Sequence, residues 1–357
     1  MISPVKAHAH IIGLGLIGAS LARALRQVGW RVTGSDRDPD AVSAALKLEI
    51  IEHGDLSDST ALVVIATPAG AVTEAAIDVL ARCHNPELIV TDVAGVKSSI
   101  VGAVDDPRFL AGHPMAGSEQ RGLAGSRADL FRGCTWVLTP TVATSPGTYS
   151  TLHGILRDIG ANVVAVSSHD HDRLVALASH VPHLVAVALM NETARAAEQD
   201  AILLQLAAGG FRDMTRIAAG DPAIWPDVLF ENQVAIIQTL RAVEGRLATL
   251  RSALEHGQRD VVTENLRTAS IARRQLPGRA LSAENLAYLR VAVTDQPGVL
   301  AAVTVAASEL AVNIFDIEIA HGIEGVGGTL LLAVDASHAS LFLTALTELG
   351  FSVGLEQ

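Results

Sequence analysis

Cysteine, aromatic residues and positive charge are all scarce in this chain. Cys83 and Cys134 are the whole cysteine complement of 357 residues, too few for a disulfide framework or a cysteine-based metal site. Phe, Trp and Tyr make up 3%, so a core has to be built from Ala, Val, Leu and Ile. Lys and Arg number 26 against 38 Asp and Glu, a net charge of −12. Such a surface repels nucleic acid and anionic membranes, and neither is expected as a partner. It also repels anionic substrates at long range, so a site for an organic dianion needs local cations. No apolar run is expected to reach membrane-spanning length. The opening Met1-Ile2-Ser3-Pro4-Val5-Lys6 leads straight into a strand, without the pattern of a secretory signal. A cytoplasmic location is the resulting expectation.

What is present is apolar and patterned. Hydrophobic residues are 49% and charged residues 18%, which places the chain among globular proteins, with two or three domains expected from its length. Residues 1–166 alternate short apolar strands with helical patterns, the sign of a parallel α/β sheet. Strands are expected at 9–13, 31–35, 61–66, 88–92, 135–139 and 161–166. Residues 167–275 are Ala- and Leu-rich with helical period, chiefly over 174–197 and 228–256. An all-helical domain is expected there, and helices this apolar point to a buried homodimer interface. The stretch Arg273-Arg274-Gln275-Leu276-Pro277-Gly278-Arg279 is basic and holds a Pro-Gly breaker, so residues 276–286 read as a linker. Residues 287–357 follow the order βαββαβ, a ferredoxin-like pattern.

The string Gly13-Leu14-Gly15-Leu16-Ile17-Gly18 follows the first strand and opens a helix. Gly13 permits the tight turn, Gly15 the approach of a pyrophosphate, and Gly18 the packing of helix on strand. The backbone N–H groups of the helix start, Leu16 and Ile17 among them, would hold the phosphates. Asp36 ends the second strand, where a carboxylate accepts hydrogen bonds from an adenosine ribose and repels a 2′-phosphate. NAD is therefore expected rather than NADP, although Arg37 beside it can stack on adenine or bind a phosphate. Thr67 and Pro68 end the third strand at the edge where such sheets bind ligands; an ordinary strand-ending turn fits the same two residues.

His113 lies in Gly112-His113-Pro114-Met115-Ala116-Gly117-Ser118-Glu119, read as a loop. A histidine there can face a nicotinamide and take a proton while hydride leaves the substrate. Gly112 and Gly117 let the loop approach a ligand closely, and Pro114 fixes the backbone. This string resembles the signature loop of prephenate dehydrogenases, and the resemblance extends over residues 8–270. It implies oxidative decarboxylation of prephenate with NAD⁺ to 4-hydroxyphenylpyruvate, CO₂ and NADH. His113 is then the base, with a pKa near the usual 6.5 or so if its surroundings leave it unshifted. Glu119 closes over the substrate and pairs with a cation, or else is simply a helix-start acid. Members of the family usually carry a serine at the position of Gly95, in Asp92-Val93-Ala94-Gly95-Val96-Lys97. Here Ser98, Ser99 or a water would have to replace its hydroxyl.

Ser179-His180-Val181-Pro182-His183 resembles the family segment that reaches the active site from the helical domain. Either His180 or His183 is the implied substrate ligand, and Pro182 should kink the helix. Arg216, in Phe211-Arg212-Asp213-Met214-Thr215-Arg216, can hold a carboxylate through two parallel hydrogen bonds. The resemblance gives it that role, with Asp213 orienting it. Trp225 is a wall of the site or part of the core. His169-Asp170-His171-Asp172 alternates like a metal site but stands at a helix start, where capping and solvated charges are the ordinary reading; no metal is expected. Asp295, Gly298 and Asn313 resemble the effector site of an ACT module, which implies feedback by tyrosine. Three other readings remain: an arogenate dehydrogenase, a Rossmann-plus-helical dehydrogenase of β-hydroxyacids, and a non-enzymatic sensor of NAD and an amino acid.

Overall fold

The computed structural model describes residues 7–116, 122–200, 202–220, 222, 225–275, 286–293, 299–310, 312, 314–321 and 328–356. The chain divides into two compact units, Met1–Gly245 and Arg246–Gln357. The first begins with β1 (His8–Ile12), α1 (Leu16–Gln27), β2 (Arg31–Ser35), α2 (Pro39–Lys47), β3 (Leu62–Ile65), α3 (Ala69–Arg82) and β4 (Ile89–Asp92). The four strands form a parallel sheet in the order β2-β1-β3-β4. Chain direction across the sheet reverses between β1 and β3, and their carboxyl ends flank a crevice at that switch point, the place where open α/β sheets bind ligands.

Next come α4 (Ser98–Ala103), β5 (Ala111–Pro114), β6 (Thr135–Thr139), α5 (Pro146–Asp158) and β7 (Asn162–Ala165). They form a second sheet, β5-β6-β7, in which β5 runs antiparallel to β6. Two expectations need correcting here. The sheet system is mixed rather than wholly parallel, and His113 stands in a strand rather than a loop. Gly112 is required by packing: a Cβ on it would lie 2.8 Å from the indole Nε1 of Trp136. Pro114 ends the strand, where its missing N–H costs no ladder bond.

Apolar residues pack on both faces of the first sheet. Leu21 and Leu25 of α1 join Ala9, Ile11 and Val32 on one face, and Val72, Ala76 and Val79 of α3 join Val63, Ile65 and Val90 on the other. Along β1, His8 and His10 alternate with the apolar residues and are buried, their rings sharing the Thr33 hydroxyl at 2.8 Å each.

The helical part follows as α6 (Ser168–Val175), a π-helical turn (Ala176–His180), α7 (Val181–Ala197), α8 (Leu203–Leu206), α9 (Gly209–Thr215), a 3₁₀ turn (Arg216–Ala219), α10 (Trp225–Glu231), α11 (Gln233–Glu255) and α12 (Arg259–Arg274). The division between the two units falls within α11. Ser167 caps α6, its hydroxyl accepting from the Asp170 N–H at 3.0 Å. Pro182 stands just past the π turn inside this continuous helical run, where its missing N–H interrupts the i→i−4 ladder. The irregularity expected from it takes the form of the π turn just before it. From Ser168 to Ala197 these helices run on as one element, long and apolar enough to cross a membrane by length and composition. That overturns the expectation of no such run, yet its buried side carries His171, Asp172, His180 and His183.

In the second unit, β8 (Leu286–Val293), α13 (Val299–Glu309), β9 (Ile314–His321), β10 (Gly328–Asp335), α14 (Ala336–Glu348) and β11 (Ser352–Glu356) follow the βαββαβ order. The sheet is antiparallel, β11-β8-β10-β9. Leu289, Val291, Leu330, Leu332, Phe342 and Leu346 form its core. Residues 276–285, nearly all of the expected linker, lie outside the described residues.

Candidate active site

At the switch point the glycine string does what its spacing predicts. Gly13 has φ +96°, and a Cβ on it would lie 2.5 Å from the Ala66 carbonyl oxygen. A Cβ on Gly18 would lie 1.9 Å from the Gly13 carbonyl oxygen, so α1 can sit this close to β1 only with glycine there. Gly15 caps α1, no side chain bonds the helix start, and nothing stands within 4 Å of where its Cβ would be. The N–H groups of Leu16 and Ile17, in this uncapped first turn, are thus placed to meet an anion. Asp36 accepts from Leu14 N–H at 2.6 Å and Asp38 N–H at 2.9 Å, which fixes its carboxylate beside the turn, with Arg37 exposed next to it. Thr67 Oγ1 is buried and has no hydrogen-bond partner among the described residues. A buried hydroxyl left unpaired is unfavourable, and this one lies after β3, across the crevice, followed by Pro68 at the start of α3. An uncapped helix start, an open Gly15 and an orphaned hydroxyl fit a dinucleotide.

His113 stands at the end of β5 beside the end of β4. Its Nδ1 is 2.8 Å from His171 Nε2, and His171 Nδ1 is 2.8 Å from Asp172 Oδ1. Asp172 also accepts from the backbone N–H of Lys97 and of Ser98, each at 2.8 Å. Lys97 Nζ in turn donates to Asp92 Oδ1, and both side chains of that ion pair are wholly buried. Asp92 accepts from Ala94 N–H as well, which ties down the loop leading to Gly95. The reading of residues 169–172 as solvated charges is therefore half right. His169 is exposed and Asp170 half-buried, but His171 and Asp172 are buried against β5 and α4.

A cavity of about 120 Å³ opens beside His113, lined by Gly95, His113, Ser179, His180, Trp225 and Val228. A Cβ on Gly95 would lie 3.7 Å from both Cε1 and Nε2 of His113, so the free edge of the imidazole faces this space. Ser179, from the π turn, lines the same cavity as Gly95. Ser98 contributes its N–H to Asp172 instead. His180 is buried and within 3.2 Å of the Asn232 amide nitrogen, which also donates to the Asp172 carbonyl at 2.8 Å. His183 stacks on Trp225 with ring centroids 3.5 Å apart, and the His180 ring meets the same indole edge-on.

Burial dominates the electrostatics. It lowers the His113 pKa well below the usual histidine value, with His171, Lys97 and His180 acting in the same direction against the pull of Asp172. The expectation of a pKa near 6.5 is thereby revised. Burial takes His180 down to about 4 and lowers His183. Burial alone would raise Asp172, but the hydrogen bonds from His171, Ser98 and Lys97 outweigh it and hold the carboxyl below its usual range. The site thus presents neutral imidazoles over an anchored carboxylate.

Of the residues expected in the site, the structure brings together His113, His180 and Trp225, with His183 against the indole. Arg216 opens the 3₁₀ turn and Asp213 lies on α9; both are exposed, and neither lines the cavity. Glu119, Asp295, Gly298 and Asn313 lie outside the described residues. Lys97, His171, Asp172, Ser179 and Asn232 were not expected. The signals in the sequence are the His-Asp pair at a helix start and the motif strings that contain Lys97 and Ser179. Among the described residues, no group of three or more His, Cys, Asp and Glu is placed to hold a metal ion.

Comparison with known proteins bears on this arrangement. Residues 21–165 match the family model of the prephenate dehydrogenase nucleotide-binding domain, and residues 167–268 that of the prephenate dehydrogenase dimerization domain. The prephenate dehydrogenase of Bacillus subtilis is 32% identical over 338 residues, 90% of this chain and 91% of that protein. The crystal structure of the A. aeolicus prephenate dehydrogenase, solved with hydroxyphenyl propionate and NAD⁺, superimposes with a TM-score of 0.71 at 29% identity, covering 77% of this chain and all of that one. The Synechocystis arogenate dehydrogenase follows with a TM-score of 0.65 at 30% identity, over 74% of this chain and 98% of that one. With a Rossmann-like nucleotide-binding domain followed by an all-helical dimerization domain, the chain belongs to the prephenate dehydrogenase family of oxidoreductases.

Proposed function

We propose that the chain carries out the NAD-dependent oxidative decarboxylation of prephenate, with His113 as the base. The observation that carries this is the free edge of a neutral His113, turned into a cavity that β5, the loop after β4, the π turn and α10 build together. NAD is the cofactor: the match to the nucleotide-binding domain and the relative solved with NAD⁺ support it, as does the fit of Gly13, Gly15, Gly18, Asp36 and Thr67. When bound, NAD supplies the hydride acceptor. As the substrate carbon bearing the hydroxyl is oxidised, the hydroxyl proton passes to His113 Nε2. Loss of CO₂ then restores aromaticity, and the proton returns to the oxygen. Aromatisation drives the reaction, so the side chains mainly position the substrate. Trp225 and His180 wall the cavity, and Arg216 is assigned to a substrate carboxylate.

Arogenate, with an amino group in place of the side-chain keto oxygen, is the second reading, favoured by the likeness to the Synechocystis enzyme. Assaying both substrates with NAD⁺ and NADP⁺ tests the proposal. Turnover of prephenate with NAD⁺ should exceed the other three combinations, and a preference for arogenate would replace it. A homodimer is supported by the dimerization-domain match and by exposed Phe230, Val234, Leu254 and Leu266 on α10, α11 and α12. The βαββαβ topology supports an ACT-type regulatory role for the second unit. If so, tyrosine added to the prephenate assay should inhibit; an unchanged rate would remove that role.

A further inference from the structure

We propose that His171 and Asp172 are positioning residues that fix the proton on His113 Nδ1, so that Nε2 faces the substrate unprotonated. The inference rests on His113 being the base. The hydrogen-bond network assigns each proton in turn. Asp172 accepts from two backbone N–H groups, those of Lys97 and Ser98, and from the His171 ring. Being an acceptor throughout, it requires His171 Nδ1 to carry the proton. With that single ring proton, His171 has a lone pair at Nε2, which accepts from His113 Nδ1 at 2.8 Å. A neutral His113 that donates from Nδ1 is left with its lone pair on Nε2, the atom that faces Gly95 and the cavity.

The opposite assignment fails at its far end. Were His171 Nε2 the donor to His113, a His171 with one ring proton would turn a lone pair at Nδ1 toward the Asp172 carboxylate, acceptor against acceptor at 2.8 Å, and only a doubly protonated ring would bond both partners. The chain of partners also answers the absence at Gly95. Gly95 brings no hydroxyl to Nε2, and the ring is held from its other side. The edge-on packing of the two imidazoles, centroids 5.1 Å apart at 68°, keeps His113 from swinging. As His113 takes the substrate proton, the charge on its ring is shared toward a His171 whose far nitrogen rests on a carboxylate. Lys97 and His180 are the other titratable groups facing His113, and neither is placed to hold Nδ1.

Substitution separates this role from mere packing. His171→Gln keeps an acceptor near the position of Nε2, whereas His171→Ala removes it. Asp172→Asn sets an amide N–H against one of two backbone donors: on the Lys97 side it also faces His171 Nδ1 and reverses both tautomers, and on the Ser98 side it keeps them but loosens the anchor. We expect turnover to fall at least tenfold in His171→Ala and in Asp172→Asn, since a base loosely held or held in the wrong tautomer loses most of its effect. KM for prephenate should stay within about twofold, as expected when transition-state rather than ground-state interactions are lost. His171→Gln should recover most of the turnover. Equal turnover in His171→Ala and His171→Gln overturns the proposal. Histidine ¹⁵N resonances give a second readout independent of turnover: in the wild-type protein the unprotonated nitrogen of His113 must be Nε2, and finding it at Nδ1 also overturns the proposal. His113→Asn distinguishes the two levels of the argument. If it turns over normally, the assignment of the base fails; if it is inactive while His171→Ala is normal, only the positioning role fails.

Discussion

Replacing Lys97 by methionine probes the least solvated ion pair in the site. Lys97 and Asp92 have no exposed side-chain surface, and the ammonium donates to Asp92 Oδ1. Burial lowers the Lys97 pKa, with Asp92 and Asp172 opposing it. Methionine fills nearly the same volume, so little of the cost comes from a cavity. What remains is a carboxylate buried without its cation, and breaking such a pair costs about 3–5 kcal/mol. In a unit of this size a change of 1 kcal/mol moves Tm by roughly 2–4 °C, so Tm should fall by about 6–20 °C. Adding Asp92→Asn removes the stranded charge and should recover part of that loss, because residues in one ion pair are not additive. A second consequence reaches His113. Lys97 is one of the groups that depress its pKa, so in Lys97→Met the acid limb of kcat/KM should move up toward pH 6.5. Thermal melts and pH profiles of the single and double variants check both. A Tm within about 2 °C of wild type would refute the reasoning, since exposed pairs are worth no more than that.

Three further outcomes are expected. Gly18→Ala should abolish NAD binding by titration fluorescence, because its methyl group would lie 1.9 Å from the Gly13 carbonyl oxygen; an unchanged affinity would show that α1 can shift without harm. His10 and His180 both have pKa values lowered to about 4, chiefly by burial. The unfolded chain takes up those protons first, near pH 6.5, so the stability they contribute is whole above that pH and is lost as pH falls toward 4. By pH 5 the two together should lower stability by about 4 kcal/mol, with Tm at least about 8 °C below its pH 7 value; a flat profile between pH 7 and 5 would contradict it. Leu254→Asp with Leu266→Asp, both exposed in the single chain, should convert a dimer to monomers in size-exclusion chromatography; an unchanged elution volume would place the interface elsewhere.

The parts of the molecule legible in the sequence are those with local causes. The strands of the first sheet show as short apolar runs, and the glycine string carries its own turn and packing constraints, so both stand where expected. The βαββαβ order in the second unit is read from the same kind of alternation. β5 was hidden because Gly112 and Pro114 punctuate it like a loop; only the pairing with β6 and the indole of Trp136 make it a strand. The alternating His-Asp run misled for a different reason. Its buried half is decided by the backbone N–H groups of Lys97 and Ser98, far away in sequence, and nothing in residues 169–172 records them. Pro182 did signal an irregularity, but the π turn before it, which brings Ser179 and His180 to the cavity, depends on packing against Asn232 and Trp225.

A neutral His113, held at the end of β5, is the proposed base of the dehydrogenase site. The most direct measurement is the turnover of His113→Asn with prephenate and NAD⁺, taken with its affinity for NAD⁺. General-base catalysis accounts for about 10²–10⁴-fold in rate, so turnover should fall by that much while NAD⁺ binds as in the wild type. Normal turnover in the variant would contradict the account.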